Sequence, residues 1–367
     1  MCAAKHIGFL IKPASSACNM RCRYCFYSDV AAHRSGSCAQ VMDDAVTDAI
    51  IDRALAVAPD AHVSFSFQGG EPTLAGLPFF RSFVERVEAR REHQQVSYAL
   101  QTNGLAIDDE WAAFLAEHRV LCGVSVDGWR DLHDSLRPDA HGAGTYARAM
   151  GAARRLRHAG AEVNVLAVLT AQMARHPQRV FSWIEREHID YLQLIPCLPG
   201  LDEEADTFSL TPRAFASFYQ RLFDLWWRSC ERGRYVSIWL FENLMQMALG
   251  QFPAQCGMLG RCAPQFVVEG DGAVYPCDFY ALDEWRAGNI CTDSLEQMAT
   301  CETMRAFLAE PRRACAACAD CPFEGVCHRN CKRLNVAYYD TAYCGLKEFL
   351  AYAWPGLEHM ARMMARR

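Results

Sequence analysis

The chain has 367 residues, of which 51% are hydrophobic, 22% charged and 11% aromatic, so it can bury the core of one large or two ordinary domains and is neither disordered nor collagen-like in composition. Lys and Arg total 37 against 43 Asp and Glu, and the net charge of -6 leaves no broad basic surface for binding nucleic acid. The unusual number is 19 cysteines, because a chain of this length does not need disulfides to fold.

Short apolar runs rich in β-forming residues alternate with longer segments in the first half of the chain. The longer segments carry apolar residues at helical spacing, and this alternation is typical of parallel βα units. Six such repeats predict a full or partial βα barrel, and so an α/β fold. The predicted strands are 6–11, 62–67, 96–100, 121–126, 162–169 and 191–195, and the predicted helices are 43–57, 78–92, 109–117, 145–158 and 178–187.

The second half of the chain has a different pattern. The sequence pattern of residues 212–232 predicts a long bridging helix. That of residues 266–275 predicts two short strands around a Gly-Asp-Gly turn. A final helix is predicted over 346–354, broken by Pro355-Gly356 before a short helical tail at 357–362. We therefore predict a barrel domain with its bridging helix over residues 1–232 and a small cysteine-rich α+β domain over 233–367.

The chain carries no recognisable targeting signal. Residues 1–13 lack the apolar stretch and cleavage site of a signal peptide, and no run reaches the roughly 20 apolar residues of a membrane span. We expect a cytoplasmic protein with no membrane contact. In a reducing compartment, clustered cysteines indicate metal or cluster ligands before disulfides, and an odd total cannot pair completely.

Three cysteines directly follow the first predicted strand, in the segment Cys18-Asn-Met-Arg-Cys22-Arg-Tyr-Cys25. A cubane 4Fe-4S cluster takes four ligands, so three cysteines leave one iron open to a small molecule, as a catalytic metal site keeps a vacant position. A zinc knuckle and a chance spacing are the alternatives. We favour the open cluster, because barrel enzymes place their active sites at the ends of strands.

This spacing resembles that of the radical S-adenosylmethionine superfamily, whose members hold such a cluster on a loop of a partial (β/α)6 barrel. The resemblance extends to Gly69-Gly70-Glu71-Pro72 at the end of the second strand, where glycines would let the backbone approach a ligand. The third and fourth strands also end in polar residues, at 101–104 and 125–128. By resemblance, the residues that bind S-adenosylmethionine are Tyr24, Gly69, Gly70, Glu71, Ser125, Arg137 and Leu198, with Arg137 as the partner of its carboxylate.

A second set of cysteines lies toward the C-terminus. Eight thiolates divide naturally into two fully ligated 4Fe-4S clusters suited to electron transfer, whereas a zinc ribbon on the quartet from Cys318 to Cys331 is an alternative that spacing leaves open. The eight are Cys256, Cys262, Cys277, Cys318, Cys321, Cys327, Cys331 and Cys344.

This second set resembles the twin-cluster SPASM domain of radical enzymes that modify peptides and proteins. Segments 11–16, 67–76, 265–269 and 275–280 narrow the resemblance to the anaerobic sulfatase-maturating enzymes. That family implies one auxiliary cluster on Cys256, Cys262, Cys277 and Cys331 and another on Cys318, Cys321, Cys327 and Cys344. Cys315 departs from the family pattern, and we favour Cys318 as the ligand. The remaining cysteines, interpreted mostly as core residues or bystanders, are Cys2, Cys38, Cys122, Cys197, Cys230, Cys291 and Cys301.

The resemblance implies three 4Fe-4S clusters and radical chemistry. Reductive cleavage of S-adenosylmethionine would give a 5′-deoxyadenosyl radical that takes a hydrogen from the substrate's Cβ. A serine then becomes formylglycine, and a cysteine a thioaldehyde that hydrolyses to it, only if a base takes the remaining proton and an acceptor takes one electron. Asp278, next to the cluster ligand Cys277, is the implied base, and a surface aspartate is the alternative.

The implied partner is a sulfatase polypeptide, presented as an unfolded or flexible segment with a Cys/Ser-x-Pro-x-Arg motif. Reduction needs an electron donor such as flavodoxin or ferredoxin. The sequence does not separate cysteine from serine substrates. The acidic loop residues Asp202, Glu203, Glu204 and Asp206 are candidates to meet the motif's arginine, with a solvated loop as an equal alternative.

Two other functions compete with this interpretation. A SPASM maturase would use the same cofactors to form thioether or carbon-carbon crosslinks in a ribosomal peptide. An iron-sulfur electron carrier or a zinc-binding interaction protein would be non-catalytic, but it would leave the open three-cysteine site and the Gly-Gly-Glu-Pro loop without a role.

Overall fold

The computed structural model describes residues 6–35, 40–202 and 206–366. The contacts between residues group the chain into two compact units, each assembled from separate stretches. The first unit takes Met1–Ser125, Arg137–Val163 and Ala263–Glu310, and the second takes Val126–Leu136, Asn164–Cys262 and Pro311–Arg367. The units are therefore interleaved along the chain, and a single domain boundary after residue 232 stays a prediction.

The strands follow the predicted alternation closely. The predicted runs at 6–11 and 62–67 match the first two strands to the residue, the third strand is longer than predicted by one residue at its start and two at its end, and the next three differ by one residue at one end. The strands are β1 (His6–Ile11), β2 (His62–Phe67), β3 (Gln95–Thr102), β4 (Leu121–Ser125), β5 (Val163–Leu169), β6 (Tyr191–Pro196), β7 (Ser237–Ile238), β8 (Phe266–Val268), β9 (Ala273–Tyr275) and β10 (Gly288–Asn289).

The helices begin where the sequence offers a capping side chain. The carboxylate of Asp43 accepts from the Val46 N–H at 2.9 Å, and that of Asp108 does the same for Trp111, so both helices have a satisfied first turn. The helices are α1 (Phe26–Ala32), α2 (Asp44–Leu55), α3 (Leu77–Arg90), α4 (Asp109–Glu117), α5 (Arg130–Leu136), α6 (Tyr146–His158), α7 (Ala171–Ala174), α8 (Pro177–Arg186), α9 (Pro212–Glu231), α10 (Trp239–Ala248), α11 (Leu295–Thr300), α12 (Glu302–Ala309), α13 (Glu324–Cys327) and α14 (Gly345–Ala365).

The first unit is built on a sheet in which β8, β1, β2, β3 and β4 are neighbours in that order and run parallel. The predicted hairpin at 266–275 exists, and its first strand extends this sheet along β1, with β9 and β10 antiparallel beyond it. Phe9 stacks on Phe65 and Phe266 with ring centroids 6.0 and 5.4 Å apart. The parallel order brings the carboxyl ends of these strands to one edge of the sheet, where loops carry the functional residues.

The second unit pairs β5, β6 and β7 in parallel and packs α14 against α9. The predicted break at Pro355-Gly356 is wrong, because α14 continues unbroken to Ala365. Buried residues lie on both sides of Pro355, which is itself exposed, so the missing N–H falls on the solvent face. Gly356 leaves room for the Phe223 ring of α9, where a Cβ would come within 2.6 Å of Cζ. Packing therefore overrides the local helix breaker.

Among the residues described, no helix combines the length and the apolar character needed to cross a membrane.

Candidate active site

The three cysteines of the first cluster lie on the loop between β1 and α1. The Cys25 sulfur caps α1 by accepting from the Ser28 N–H at 3.4 Å, and the Cys18 sulfur accepts from the Met20 N–H at the same distance. Burial raises the pKa of the Cys18 thiol, and the nearby Glu71 and Cys25 charges act in the same direction. Backbone N–H groups aimed at sulfur are the contacts that tune a thiolate once it ligates iron.

The glycine pair at the end of β2 packs against this loop. The N–H of Gly70 donates to the Ser15 carbonyl at 2.8 Å, and a Cβ on Gly70 would lie 2.2 Å from the Ala17 oxygen. Gly69 has a φ of 127°, in the region that favours glycine. The close approach we expected toward a ligand is thus made to the chain's own cysteine loop, and the binding of S-adenosylmethionine by these glycines stays a prediction.

Glu71 is fully enclosed by protein donors. One carboxylate oxygen accepts from the hydroxyls of Thr73 and Thr102, both at 2.7 Å, and the other accepts from the Asn103 N–H at 2.7 Å. Burial raises the pKa of Glu71, although these hydrogen bonds oppose the shift. The geometry makes Glu71 a positioning residue that joins the ends of β2 and β3, while its assigned contact with S-adenosylmethionine stays a prediction.

Other predicted cofactor residues border the same loop. The Arg137 guanidinium donates to the Tyr24 hydroxyl at 3.0 Å, and Arg137 is buried, unlike an ordinary loop arginine. The Asn103 amide donates to Asn19 Oδ1 at 2.7 Å, and the Ser125 hydroxyl accepts from Gln101 at 2.8 Å. The first unit therefore brings Tyr24, Arg137 and the Gly-Gly-Glu-Pro element to one cysteine loop. Leu198 belongs to the second unit, and its assignment stays a prediction.

Asp278 follows Cys277 directly and is held by two side chains. The Lys12 ammonium lies 2.6 Å from Asp278 Oδ1, and the Gln68 amide donates to Oδ2. Lys12 is wholly buried, whereas the Asp278 side chain keeps 14% of its exposure. A carboxylate that is fixed at both oxygens and still accessible is suited to accept a proton from a bound substrate.

A second carboxylate completes this charged group. Glu269 is buried, and its Oε1 lies 3.7 Å from the Lys12 ammonium and 3.0 Å from Arg34 Nη1. The Tyr27 hydroxyl donates to the same oxygen at 2.5 Å, and burial next to Glu269 raises the pKa of Tyr27. We call Lys12, Arg34, Glu269 and Asp278 the buried charge cluster. All four belong to the first unit.

Four of the C-terminal cysteines line one pocket in the second unit. They are Cys318, Cys321, Cys327 and Cys344. Burial raises the pKa of Cys318, Cys327 and Cys344 to about 11, and neighbouring cysteines add to each shift. Four thiols facing one pocket form the donor set of a fully ligated cubane, and each would lose its proton on binding iron.

Cys331 lies elsewhere in the second unit. It is a neighbour of Cys256, whose pKa is raised by burial and by the Cys331 and Cys262 thiols, and a Cβ on Gly257 would lie 2.8 Å from that of Cys331. A zinc ribbon on the quartet from Cys318 to Cys331 would need Cys331 beside Cys327 instead. The placement supports the interleaved ligand assignment, in which the role of Cys277 stays a prediction.

The turn from Cys327 to Cys331 has an unusual backbone. His328, Arg329 and Asn330 have φ values of 47°, 61° and 53°, a left-handed conformation that residues other than glycine rarely adopt in succession. The Asn330 side chain accepts from the Cys331 N–H at 2.7 Å, and His328 Nδ1 lies 2.8 Å from the Met258 carbonyl oxygen. This turn separates Cys327, which lines the pocket, from Cys331, which lies near Cys256.

Comparisons with known proteins agree with this geometry. Residues 13–183 match the family model of the radical SAM superfamily, and residues 260–322 match the SPASM iron-sulfur cluster-binding domain. A cysteine-type anaerobic sulfatase-maturating enzyme of Clostridium perfringens is 38% identical over 97% of this chain and 98% of its own length. The chain belongs to the anaerobic sulfatase-maturating enzymes.

Two further comparisons are informative. A serine-type enzyme of Bacteroides thetaiotaomicron is 25% identical over 98% of this chain and 91% of its own length. The solved structure of native anSMEcpe with bound AdoMet and Cp18Cys peptide is 37% identical, covers 98% of this chain and 99% of that one, and superposes with a TM-score of 0.89. The predicted α/β fold, a radical SAM partial barrel with a C-terminal SPASM domain, is confirmed, as is the class of radical oxidoreductase with iron-sulfur clusters and S-adenosylmethionine.

The cysteine sets fit the clusters that the family implies. Across residues 6–35, 40–202 and 206–366, no three His, Cys, Asp or Glu side chains converge on a single-ion site. Each iron of a cubane takes its own thiolate, so cluster ligands need not converge on one point. The thiol loop before α1 and the four-cysteine pocket therefore have the chemistry, namely sulfur donors on separate chain positions, that cubane clusters use.

The acidic loop gives less support to its predicted role. Asp206 Oδ1 accepts from the Phe208 N–H at 2.7 Å and the Ser209 N–H at 2.5 Å, so this carboxylate already closes a turn. Glu203 and Glu204 lie outside the described residues, as do Cys2 and Cys38. Recognition of a substrate arginine by this loop stays a prediction.

Replacing Cys315 and Cys318 separately tests which of them ligates iron. The two thiols are neighbours, but Cys318 lines the pocket and Cys315 lies outside that lining. We expect Cys318→Ser to lose about four irons per chain, the content of one cubane, and Cys315→Ser to lose none. Iron and sulfide analysis of anaerobically reconstituted protein measures this difference. The reverse pattern would assign the cluster to Cys315.

No individual role is predicted for Lys12, Arg34 or Glu269 from the sequence. Lys12 directly follows the apolar strand β1, and Glu269 directly follows β8. A charge at the end of an apolar strand is a usable signal, because charged residues are almost never fully buried unless paired.

Proposed function

We propose that this chain oxidises a cysteine within a Cys-x-Pro-x-Arg segment of a sulfatase to formylglycine. The observation that carries the proposal is Asp278, a fixed and accessible carboxylate next to the cysteine that the family resemblance makes an auxiliary cluster ligand. The solved relative that holds AdoMet and the Cp18Cys peptide supports a peptide as the substrate. The proposed compartment is the cytoplasm, where thiol ligands stay reduced.

The chemistry divides between the bound groups and the chain. S-adenosylmethionine and the clusters supply the hydrogen-abstracting radical and accept one electron. Asp278 takes the thiol proton after hydrogen is removed from Cβ, so a carbon-sulfur double bond forms. Water then replaces sulfur, which leaves as hydrogen sulfide, and the aldehyde remains. A one-electron donor such as flavodoxin or ferredoxin completes the proposed set of partners.

Sequence identity to the two types of relative favours a cysteine over a serine as the substrate residue. Curated cysteine-type enzymes are 34 to 38% identical to this chain, whereas serine-type enzymes are 25 to 28% identical. A thiol is larger and more acidic than a hydroxyl, so a site shaped for one discriminates against the other. We therefore expect a higher rate of formylglycine formation on the cysteine peptide than on the matched serine peptide.

A single anaerobic reaction tests the proposed function. Reconstituted enzyme is reduced with dithionite and given S-adenosylmethionine with a Cys-x-Pro-x-Arg peptide, its serine version or an alanine control. Mass spectrometry should show exchange of sulfur for oxygen and loss of two hydrogens in the cysteine peptide, with matching 5′-deoxyadenosine. Cofactor cleavage with no change in either peptide would favour the peptide-crosslinking alternative, and a faster serine reaction would overturn the cysteine preference.

A further inference from the structure

We propose that Lys12 is a positioning residue for the proton transfer, because it fixes Asp278 in the orientation that accepts the substrate proton. The inference rests on the proposed function. It assigns a role to a side chain that has no solvent exposure and therefore does not act as a surface charge.

Lys12 and Gln68 contact different oxygens of the Asp278 carboxylate. Lys12 contacts Oδ1 at 2.6 Å and Gln68 donates to Oδ2, so neither oxygen can rotate without breaking a contact. Each oxygen of a carboxylate has two lone pairs, so Oδ2 can accept from a further donor besides Gln68. The Lys12 side chain has no solvent exposure, whereas the Asp278 side chain keeps 14%. A substrate can therefore reach the Asp278 carboxylate from the solvent side, and Lys12 contacts it from the buried side.

Lys12 is itself held by groups other than Asp278. Its ammonium lies 3.7 Å from Glu269 Oε1, and its Nζ lies 3.4 Å from the centroid of the Tyr27 ring. A cation over an aromatic face is stabilised even when buried, so Lys12 is fixed independently of Asp278 and can hold the carboxylate in one orientation.

Lys12→Met keeps an unbranched side chain that is one atom shorter and removes the charge. We expect formylglycine formation to fall about 10- to 100-fold, as for loss of other groups that orient a reacting residue, while S-adenosylmethionine cleavage continues. The measured quantity is the ratio of formylglycine to 5′-deoxyadenosine in one reaction. A merely structural defect would lower both products in parallel and leave the ratio unchanged, and that outcome would overturn the proposal.

Arg86→Met is the control for loss of a paired cation. Arg86 lies in α3 of the same unit, outside the buried charge cluster, and pairs with Asp44 at 2.7 Å and with Asp48 at 3.0 Å. The control should leave the product ratio at the wild-type value. An equal fall of the ratio in both variants would show that loss of any paired cation suffices, and Lys12 would lose its specific role.

The double variant Lys12→Met/Asp278→Asn adds thermal unfolding, a measurement that needs no substrate, to the measurement of formylglycine. If Lys12 acts through Asp278, the double variant should form no less formylglycine than Asp278→Asn alone, and its midpoint of thermal unfolding should lie above that of Lys12→Met, because the carboxylate that has lost its cation is gone. Additive losses in both measurements would overturn the proposal. Failure of the wild-type enzyme to modify any peptide would instead reject the proposed function, since the unfolding coupling is measured independently of it.

Discussion

Replacing Asp278 with asparagine should lower formylglycine formation by roughly 10²- to 10⁴-fold, the usual contribution of a general base, and leave S-adenosylmethionine cleavage in place. The amide has nearly the same shape, and its oxygen can still accept from Gln68, but it cannot take up a proton at neutral pH. Hydrogen abstraction precedes the step that needs the base, so it continues. Mass spectrometry of peptide and 5′-deoxyadenosine from one anaerobic reaction measures both quantities.

Asp271→Asn serves as the control for this substitution. Asp271 is an exposed carboxylate in the turn of the β8–β9 hairpin that precedes Asp278, and it accepts from the Ala273 N–H at 3.0 Å. It should retain both cofactor cleavage and product formation. Wild-type amounts of formylglycine from Asp278→Asn would remove Asp278 from the base role, and loss of cofactor cleavage would show that the residue shapes the cofactor site as well.

Replacing Gly70 with alanine should disrupt the first cluster selectively. The new Cβ would lie 2.2 Å from the Ala17 carbonyl oxygen, a backbone atom that cannot swing away, so the cysteine loop must move. We expect the free energy of unfolding to fall by about 1–3 kcal/mol, the usual result of overpacking. Displacement of Cys18 from its contacts should also abolish S-adenosylmethionine cleavage and remove about four irons per chain, one cubane's content.

Gly151→Ala is the matched control for Gly70→Ala. Gly151 lies within α6 of the same unit, and a Cβ there meets nothing within 4 Å. Alanine stabilises a helix interior by about 1 kcal/mol relative to glycine, so this variant should be at least as stable as the wild type, with full iron content and cofactor cleavage. Iron analysis and thermal unfolding compare the two variants. Normal iron and cleavage in Gly70→Ala would mean that the loop tolerates the shift.

The fold was largely predictable because local sequence patterns identify its strands and helices. The strands of the barrel alternate with amphipathic helices, and Asp43 and Asp108 cap the helices that follow them. The continuous α14 was not predictable from Pro355, since the face that carries the helix past this residue is defined only by packing against α9. Local propensity is a weak prior when tertiary contacts oppose it.

The site was predictable where spacing or adjacency carries information. The cysteines and the Gly-Gly-Glu-Pro element stand out by motif, and Asp278 by its position after Cys277. Lys12 and Glu269 could not be placed, because their contacts join residues from opposite ends of the chain. The prediction for Gly69 and Gly70 was incomplete. The sequence indicates that the backbone approaches another group closely at these glycines, but it does not indicate which atoms that group contains.

The pairing of β8 with β1 limits how the protein can be shortened. A fragment that ends at residue 232 would contain all of the predicted barrel strands but not β8, so β1 would become an edge with unpaired backbone groups and an apolar surface. Exposed apolar edges recruit other strands, and such a fragment should aggregate. It would also leave Lys12 without either of its carboxylates. The surroundings of the first cysteine loop thus depend on residues far along the chain, and the ribosome must pass residue 278 before Lys12 has both of its carboxylates.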